Sequence, residues 1–289
     1  MGWRRAILFG IAMGLFVPSG AFGRTAKTEG ASNELAVEIY DGYLIVAEAS
    51  VGELHGLRFL VDTGTSYTAI DRRLAKRLGV AGQQAKVINF NKTISVESGE
   101  IPGITYGPEE AADVPVLIED LRSMRPGGAP LDGIIGLDLL RRKNFLIDYA
   151  RKRVVFGATE SNGMRAAPMR VGGTELCVEA ELEGRLVWMI ADTGMAGTVL
   201  YERGVRAALE NYVMGGPPAE RSLSGVVESR KAVVSQFRLG GQDLERRVLL
   251  VNAPNVKRLN DIAGYLGPAS LGARQIVFDF ENAQLRWKK

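Results

Sequence analysis

Beyond residue 34 the apolar positions fall in short alternating runs, and few of them keep helical spacing. Residues 35–40 and 43–49 alternate on either side of Asp41-Gly42, a dipeptide that favours a two-residue hairpin turn. Residues 57–61 form an apolar run that ends on Asp62. In residues 71–78, Leu74 and Leu78 lie four apart and Gly79 follows, which predicts a short helix with a glycine stop. Strands are predicted at residues 86–90, 93–96 and 114–118. The rest of the chain has the same texture, with a helix predicted at residues 202–209 and strands at 232–239 and 247–251. Many short strands with Gly-rich turns predict an all-β fold of closed, barrel-like lobes, each carrying one short helix.

The pattern also repeats. Phe59-Leu60-Val61-Asp62-Thr63-Gly64-Thr65 returns 130 residues later as Met189-Ile190-Ala191-Asp192-Thr193-Gly194-Met195. Asp132-Gly133-Ile134-Ile135-Gly136-Leu137 returns as Ala263-Gly264-Tyr265-Leu266-Gly267-Pro268, now 131 residues on. An apolar–acid–aromatic run follows each, Phe145-Leu146-Ile147-Asp148-Tyr149 and Ile276-Val277-Phe278-Asp279-Phe280. Three landmarks in one order at one offset divide the mature chain into homologous halves, residues 32–157 and 165–289, with residues 158–164 as linker.

Residues 1–23 read as an export signal: Arg4 and Arg5, an apolar run over residues 6–17, then small residues. That run is short of the ~20 residues a membrane span needs. No stable membrane insertion is expected after cleavage, and the expected location is periplasmic or secreted. Removing Arg4 and Arg5 would lower the net charge from +3 to +1, and no basic stripe interleaved with aromatics appears, so nucleic acid is not an expected partner.

Composition narrows the chemistry further. One Cys excludes an internal disulfide framework and a Cys-cluster zinc site, and one His excludes a His-rich metal centre. Neither a metal nor a cofactor is implied, whereas Asp and Glu number 33. A strand that delivers Asp into a Thr-Gly turn fixes a carboxylate, because Gly allows a tight turn and its amide can approach the acid unobstructed. A two-fold relation between the halves would bring Asp62 and Asp192 together. Two carboxylates that close share one proton; the ionised one can take a proton from water while the other polarises a carbonyl.

These motifs resemble the active-site sequences of aspartic proteases. Ile134-Ile135-Gly136 and Tyr265-Leu266-Gly267 resemble the family's hydrophobic–hydrophobic–Gly element. The halves are most similar to retropepsin-like units, here fused in tandem as in the pepsin-like arrangement, with pseudo-two-fold symmetry and one site between the lobes. The resemblance implies that Asp62 and Asp192 are the catalytic pair. Thr63 and Thr193 would interlock beneath them, with Gly64, Thr65 and Gly194 completing the loops. Met195 stands where the first half has Thr65, so one outer hydroxyl is missing. The covering flap is expected near residues 88–98, with Phe90 as an apolar lid and Asn91-Lys92 at the tip, and near residues 219–229 in the second half.

Other polar residues have plainer readings. His55 is expected at an exposed hairpin tip, Asp138 as a helix N-cap, and Asp148 and Asp279 in turn-bonding or solvent-facing roles. Trp188 and Cys177 are expected in the core. The expected protein is an exported aspartic endopeptidase, a monomer whose halves pair within one chain, acting on peptide or protein. The competing expectation is an inactive peptide-binding or envelope scaffold protein that keeps the fold.

Overall fold

The computed structural model describes residues 11–12, 33–89, 92–157, 162–205, 219–222, 225–252 and 259–289. The leader read at residues 1–23 lies outside these, apart from Ile11–Ala12, whose backbone pairs antiparallel with Asn89 and Ile88. Residues 158–161 of the expected linker and residues 206–209 of the expected second helix also lie outside.

The described chain is mostly β. Strands Glu34–Tyr40 and Leu44–Val51 form the expected hairpin. Asp41 and Gly42 both take positive φ, 51° and 81°, which suits the right-handed twist of the strands they join. From Leu44–Val51 the pairing runs through Leu54–Val61, Gly133–Ile135, Ala69–Asp71, Glu109–Glu119 and Lys92–Tyr106. It then returns to its start through Ser50 and Thr105. Two of these pairings are parallel, and one of them sets Val61 beside Ile135. Helix Arg72–Leu78 starts where the Asp71 carboxylate accepts Arg73 N–H at 2.9 Å, and it stops at Gly79, whose φ is 69°.

The second part uses the same kinds of pairing in the same order. Glu175–Leu182 pairs with Arg185–Ala191, which runs parallel to Ile262–Leu266; that strand meets Thr198–Tyr201, which runs parallel to Arg247–Val251. The described helix there is Glu202–Val205.

A sheet that sequence pattern did not foretell joins the two parts. Its order is Glu34–Tyr40, Arg153–Phe156, Phe145–Asp148, Gln275–Asp279, Gln284–Lys288, Arg165–Gly172, with every neighbour antiparallel. At its centre Phe145 pairs with Phe278 and their rings stack at 4.6 Å. Asn144 pins the same junction: its Nδ2 donates to Asp279 Oδ1 at 3.2 Å, and its Oδ1 accepts Phe280 N–H at 2.8 Å. The apolar cluster around this sheet draws residues from both parts, so the two cores are continuous.

Several single residues complete the comparison. His55 is exposed, with Nδ1 2.9 Å from Ser50 Oγ. Asp148 and Asp279 are buried and bond turns, accepting from Arg151 N–H and Asn282 N–H. Cys177 is buried, and burial pushes its thiol up to about 12, which makes it unreactive. Trp188 departs from expectation. It is half-buried at the edge of the core, where Arg170 stacks its guanidinium 4.2 Å from the ring.

Candidate functional site

Two strands with matching surroundings carry the acidic residues. Leu54–Val61 ends beside Ile135, and Asp62 N–H donates to Ile135 O at 3.0 Å. Arg185–Ala191 ends beside Leu266, and Asp192 N–H donates to Leu266 O, also at 3.0 Å. Each strand is therefore clamped by a parallel neighbour up to the residue that carries the carboxylate. Asp62 and Asp192 are fully buried.

The turns beyond them hook into each other. Thr63 N–H donates to Thr193 Oγ1 at 3.0 Å, and Thr193 N–H donates to Thr63 Oγ1 at 3.1 Å. Each hydroxyl passes its own proton on, Thr63 to Ala191 O at 2.7 Å and Thr193 to Val61 O at 2.9 Å. Those carbonyls belong to the residues just before the opposite aspartates, so each turn grips the strand that bears the other acid. Four buried hydrogen bonds made by two hydroxyls fix the distance between the carboxylates.

Glycine is required at both turns by close approach. A Cβ at Gly64 would lie 2.2 Å from Asp192 Cγ, and one at Gly194 would lie 2.8 Å from Asp62 Oδ2. Each glycine is pressed against the acid of the other loop, so the two carboxylates sit across one small space. Gly64 N–H donates to Asp62 Oδ1 and Gly194 N–H to Asp192 Oδ1, both at 2.8 Å.

The outer oxygens are treated differently. Thr65 Oγ1 donates to Asp62 Oδ2 at 2.7 Å. Met195, fully buried at the matching place, has no proton to give, and among the described residues Asp192 Oδ2 has no donor. Burial raises both acids above the usual carboxylate range. For Asp62 the Thr65 and Gly64 hydrogen bonds oppose the rise, whereas for Asp192 the nearby charge of Asp62 adds to it. Asp192 is therefore the stronger holder of a proton. A proton between the two acids is also what would satisfy its bare Oδ2.

Each loop is backed by a hydrophobic–hydrophobic–Gly element. A Cβ at Gly136 would lie 2.6 Å from Tyr67 C, and one at Gly267 would lie 2.2 Å from Met195 O, so these glycines let backbone pass behind the acids. Leu137 N–H donates to Thr65 O at 2.8 Å, and Asp138 N–H donates to Ser66 O at 3.2 Å. Contrary to expectation, Asp138 does not cap the helix. Helix Leu137–Leu140 has Gly136 at its N-cap and no side-chain cap. Asp138 turns instead to Thr68, and its Oδ1 accepts both the amide and the hydroxyl of that residue at 2.9 Å.

The expected flap is only partly described. Gln83–Asn89 and Lys92–Tyr106 form a hairpin, but Phe90 and Asn91 lie outside the described residues and Lys92 is described in backbone alone. A second hairpin joins Ala219–Ser222 to Gly225–Val233. Ile88 of the first hairpin packs in one cluster with Ile190, Met195 and Tyr265, so strand from one part covers the acid loop of the other. Sequence reasoning missed Tyr67, two residues past Thr65, which borders a cavity of 520 Å³ with Val80, Pro102, Pro115 and Leu117. A lone aromatic in a loop carries no pattern that would single it out. Among the described residues, no group of three His, Cys, Asp or Glu side chains could hold a metal ion.

Residues 47–139 match the family model described as aspartyl protease. No curated protein matches the chain.

Proposed function

We propose that this chain is an aspartic endopeptidase of two homologous lobes related by a pseudo-two-fold axis, with a single site between them. The observation that carries the reading is the reciprocal threonine clasp, which holds two buried carboxylates across from each other with a glycine against each. The family match over the first half supports the same reaction class.

In this mechanism Asp62 is the base and Asp192 the acid. Asp62, with hydrogen bonds on both oxygens, is the better anion; Asp192, with a bare Oδ2, keeps the shared proton. A water between them attacks the peptide carbonyl carbon, giving a proton to Asp62 as Asp192 protonates the carbonyl oxygen. The resulting gem-diol collapses as the C–N bond breaks. Asp62 passes its proton to the departing nitrogen, and Asp192 recovers one from the diol. Positioned acid and base groups of this kind contribute on the order of 10² to 10⁴ in rate.

Peptide would lie extended beneath the hairpins, with one side chain directed to the cavity beside Tyr67. Because both aspartates are buried, the hairpins must lift to admit it. The proposal includes export through the residue 1–23 segment and action as a monomer.

The test is cleavage of a mixed peptide library between pH 3 and 8 by protein lacking residues 1–23, beside Asp62→Asn and Asp192→Asn. Cleavage that falls by about 10³ or more in both variants is expected. Cleavage that persists in both, or wild-type protein that binds peptide without cutting it, would overturn the proposal, the latter in favour of a binding protein on this fold.

A further inference from the structure

Asp138 is a half-buried acid that the mechanism does not use. One carboxylate oxygen, Oδ1, takes both donors of Thr68. Thr68 Oγ1 in turn accepts Gly136 N–H at 3.2 Å. Thr68 O accepts Leu117 N–H at 3.0 Å, and the flanking carbonyls of Thr65 and Ser66 accept from Leu137 and Asp138. The segment from Thr65 to Thr68 is thus tied to residues 136–138 at four of its polar groups, and it begins with the hydroxyl that holds Asp62 Oδ2. The second half has no such acid. Ala269 matches Asp138, and the equivalent Thr198 meets the Ser270 hydroxyl at 3.0 Å.

We propose that Asp138 is a positioning residue for Asp62, acting through Thr68 to hold the loop from which Thr65 reaches the carboxylate. This rests on the peptidase reading for its kinetic test but not for its structural one.

The charge around Asp138 sets when the clamp is comfortable. Arg142 attracts it from beyond its own helix, and Tyr106 faces it from the end of the strand Lys92–Tyr106; residues 65–68 bring no charge. Burial outweighs the Thr68 and Leu139 hydrogen bonds and Arg142, and it pushes the carboxyl up to about 6. Below that pH Asp138 is a neutral acid that still accepts from Thr68 on Oδ1. Above it, the same clamp carries a half-buried anion. An asparagine, neutral at every pH, imitates the acid form with one acceptor oxygen.

Three readouts on the mature chain test the proposal. Asp138→Ala is expected to lower kcat at least tenfold with KM within about threefold, and Asp138→Asn is expected to restore kcat to at least a third of wild type. Equal kcat in Asp138→Ala and wild type would overturn it, as would an Asp138→Asn as poor as the alanine variant. The second readout needs no turnover. The carboxyl ¹³C titration of Asp62, assigned by its loss in Asp62→Asn, should move in Asp138→Ala and stay in Asp138→Asn; an unmoved Asp62 in the alanine variant sinks the idea. The third is thermal stability. The melting temperature of Asp138→Asn minus that of wild type should be near zero at pH 4.5 and rise by several degrees by pH 7.5. A difference that does not change with pH would show that Asp138 is not the titrating clamp, and this arm remains readable if the alanine variant fails to fold. Wild-type protein that never cuts peptide would remove the peptidase reading and leave the last two readouts standing.

Discussion

The two Asp-Thr-Gly loops share a clasp and differ in what surrounds it. Thr63 and Thr193 exchange the same four hydrogen bonds, each within 2.7 to 3.1 Å. Around that shared part, the first loop has a hydroxyl on its outer carboxylate oxygen and an acid behind it, whereas the second has Met195 and a pair of hydroxyls. Two identical loops would split a proton evenly. Unequal loops assign it, so in the proposed mechanism the departures from symmetry would carry the division of labour between base and acid, while the symmetric part carries the geometry.

The most severe way to break the comparison is to fill the space each glycine leaves. Gly64→Ala would drive a methyl to 2.2 Å from Asp192 Cγ, whereas Gly194→Ala meets Asp62 at 2.8 to 3.0 Å. Peptidase activity is expected to vanish in the first and to survive in part in the second, measured with one peptide at pH 5. Equal residual activity would mean that the loops adjust alike and the tighter approach has no consequence.

Next in size is the clasp itself. Thr63→Val and Thr193→Val each leave a buried amide and a buried carbonyl without partners, at about 1–3 kcal/mol apiece. Each variant should lose about 2–6 kcal/mol in urea unfolding, and the two losses should agree within about 1 kcal/mol. A large inequality would show that the clasp is less symmetric in energy than in geometry.

Much of this was legible beforehand, for definable reasons. Asp41-Gly42 announces its hairpin because few residues tolerate two successive positive φ values. The repeat of Asp62-Thr63-Gly64 as Asp192-Thr193-Gly194 is legible because the glycines have no room for a Cβ and the threonines need a hydroxyl at one spot. Contacts set by distant chain leave no local trace. The pairing of Phe145 with Phe278 spans 133 residues, and nothing in either run names its partner. Asp138 shows the same limit: one residue into a helix, a carboxylate reads as a cap until Thr68, 70 residues earlier, is found against it.

Exchanging the outer groups sharpens the comparison without breaking it. Thr65→Val removes the donor from Asp62 Oδ2, so Asp62 should hold its proton to higher pH and the acid limb of the activity profile should move up. Met195→Thr offers a donor to the bare Oδ2 of Asp192, so that acid should lose its proton sooner and the alkaline limb should move down. Each change involves one charge-assisted hydrogen bond, worth about 1.5–3 kcal/mol. Limbs that move in the opposite senses would reverse the assignment of base and acid.

The smallest expected effect lies away from the acids, on the strands beneath them. In the first half Asp71 pairs in register with Glu119; in the second Tyr201 pairs with Val251. Glu119 is largely enclosed with Oε1 unbonded, and burial, only partly offset by Arg72, pushes its carboxyl up to about 7. A carboxyl raised by folding lends stability while protonated and withdraws it as pH climbs through the folded value, here from about 4.5 to about 7. Glu119→Gln should therefore unfold like wild type at pH 4.5 and be more stable at pH 8 by about 1–2 kcal/mol, the full shift being reduced by the exposed part of the side chain. An apolar residue at this position would remove the pH dependence as well, which is the condition Val251 already gives the second half. If Glu119→Gln were neutral at pH 8, the acid would be finding solvent there, and the two halves would be alike beneath their loops after all.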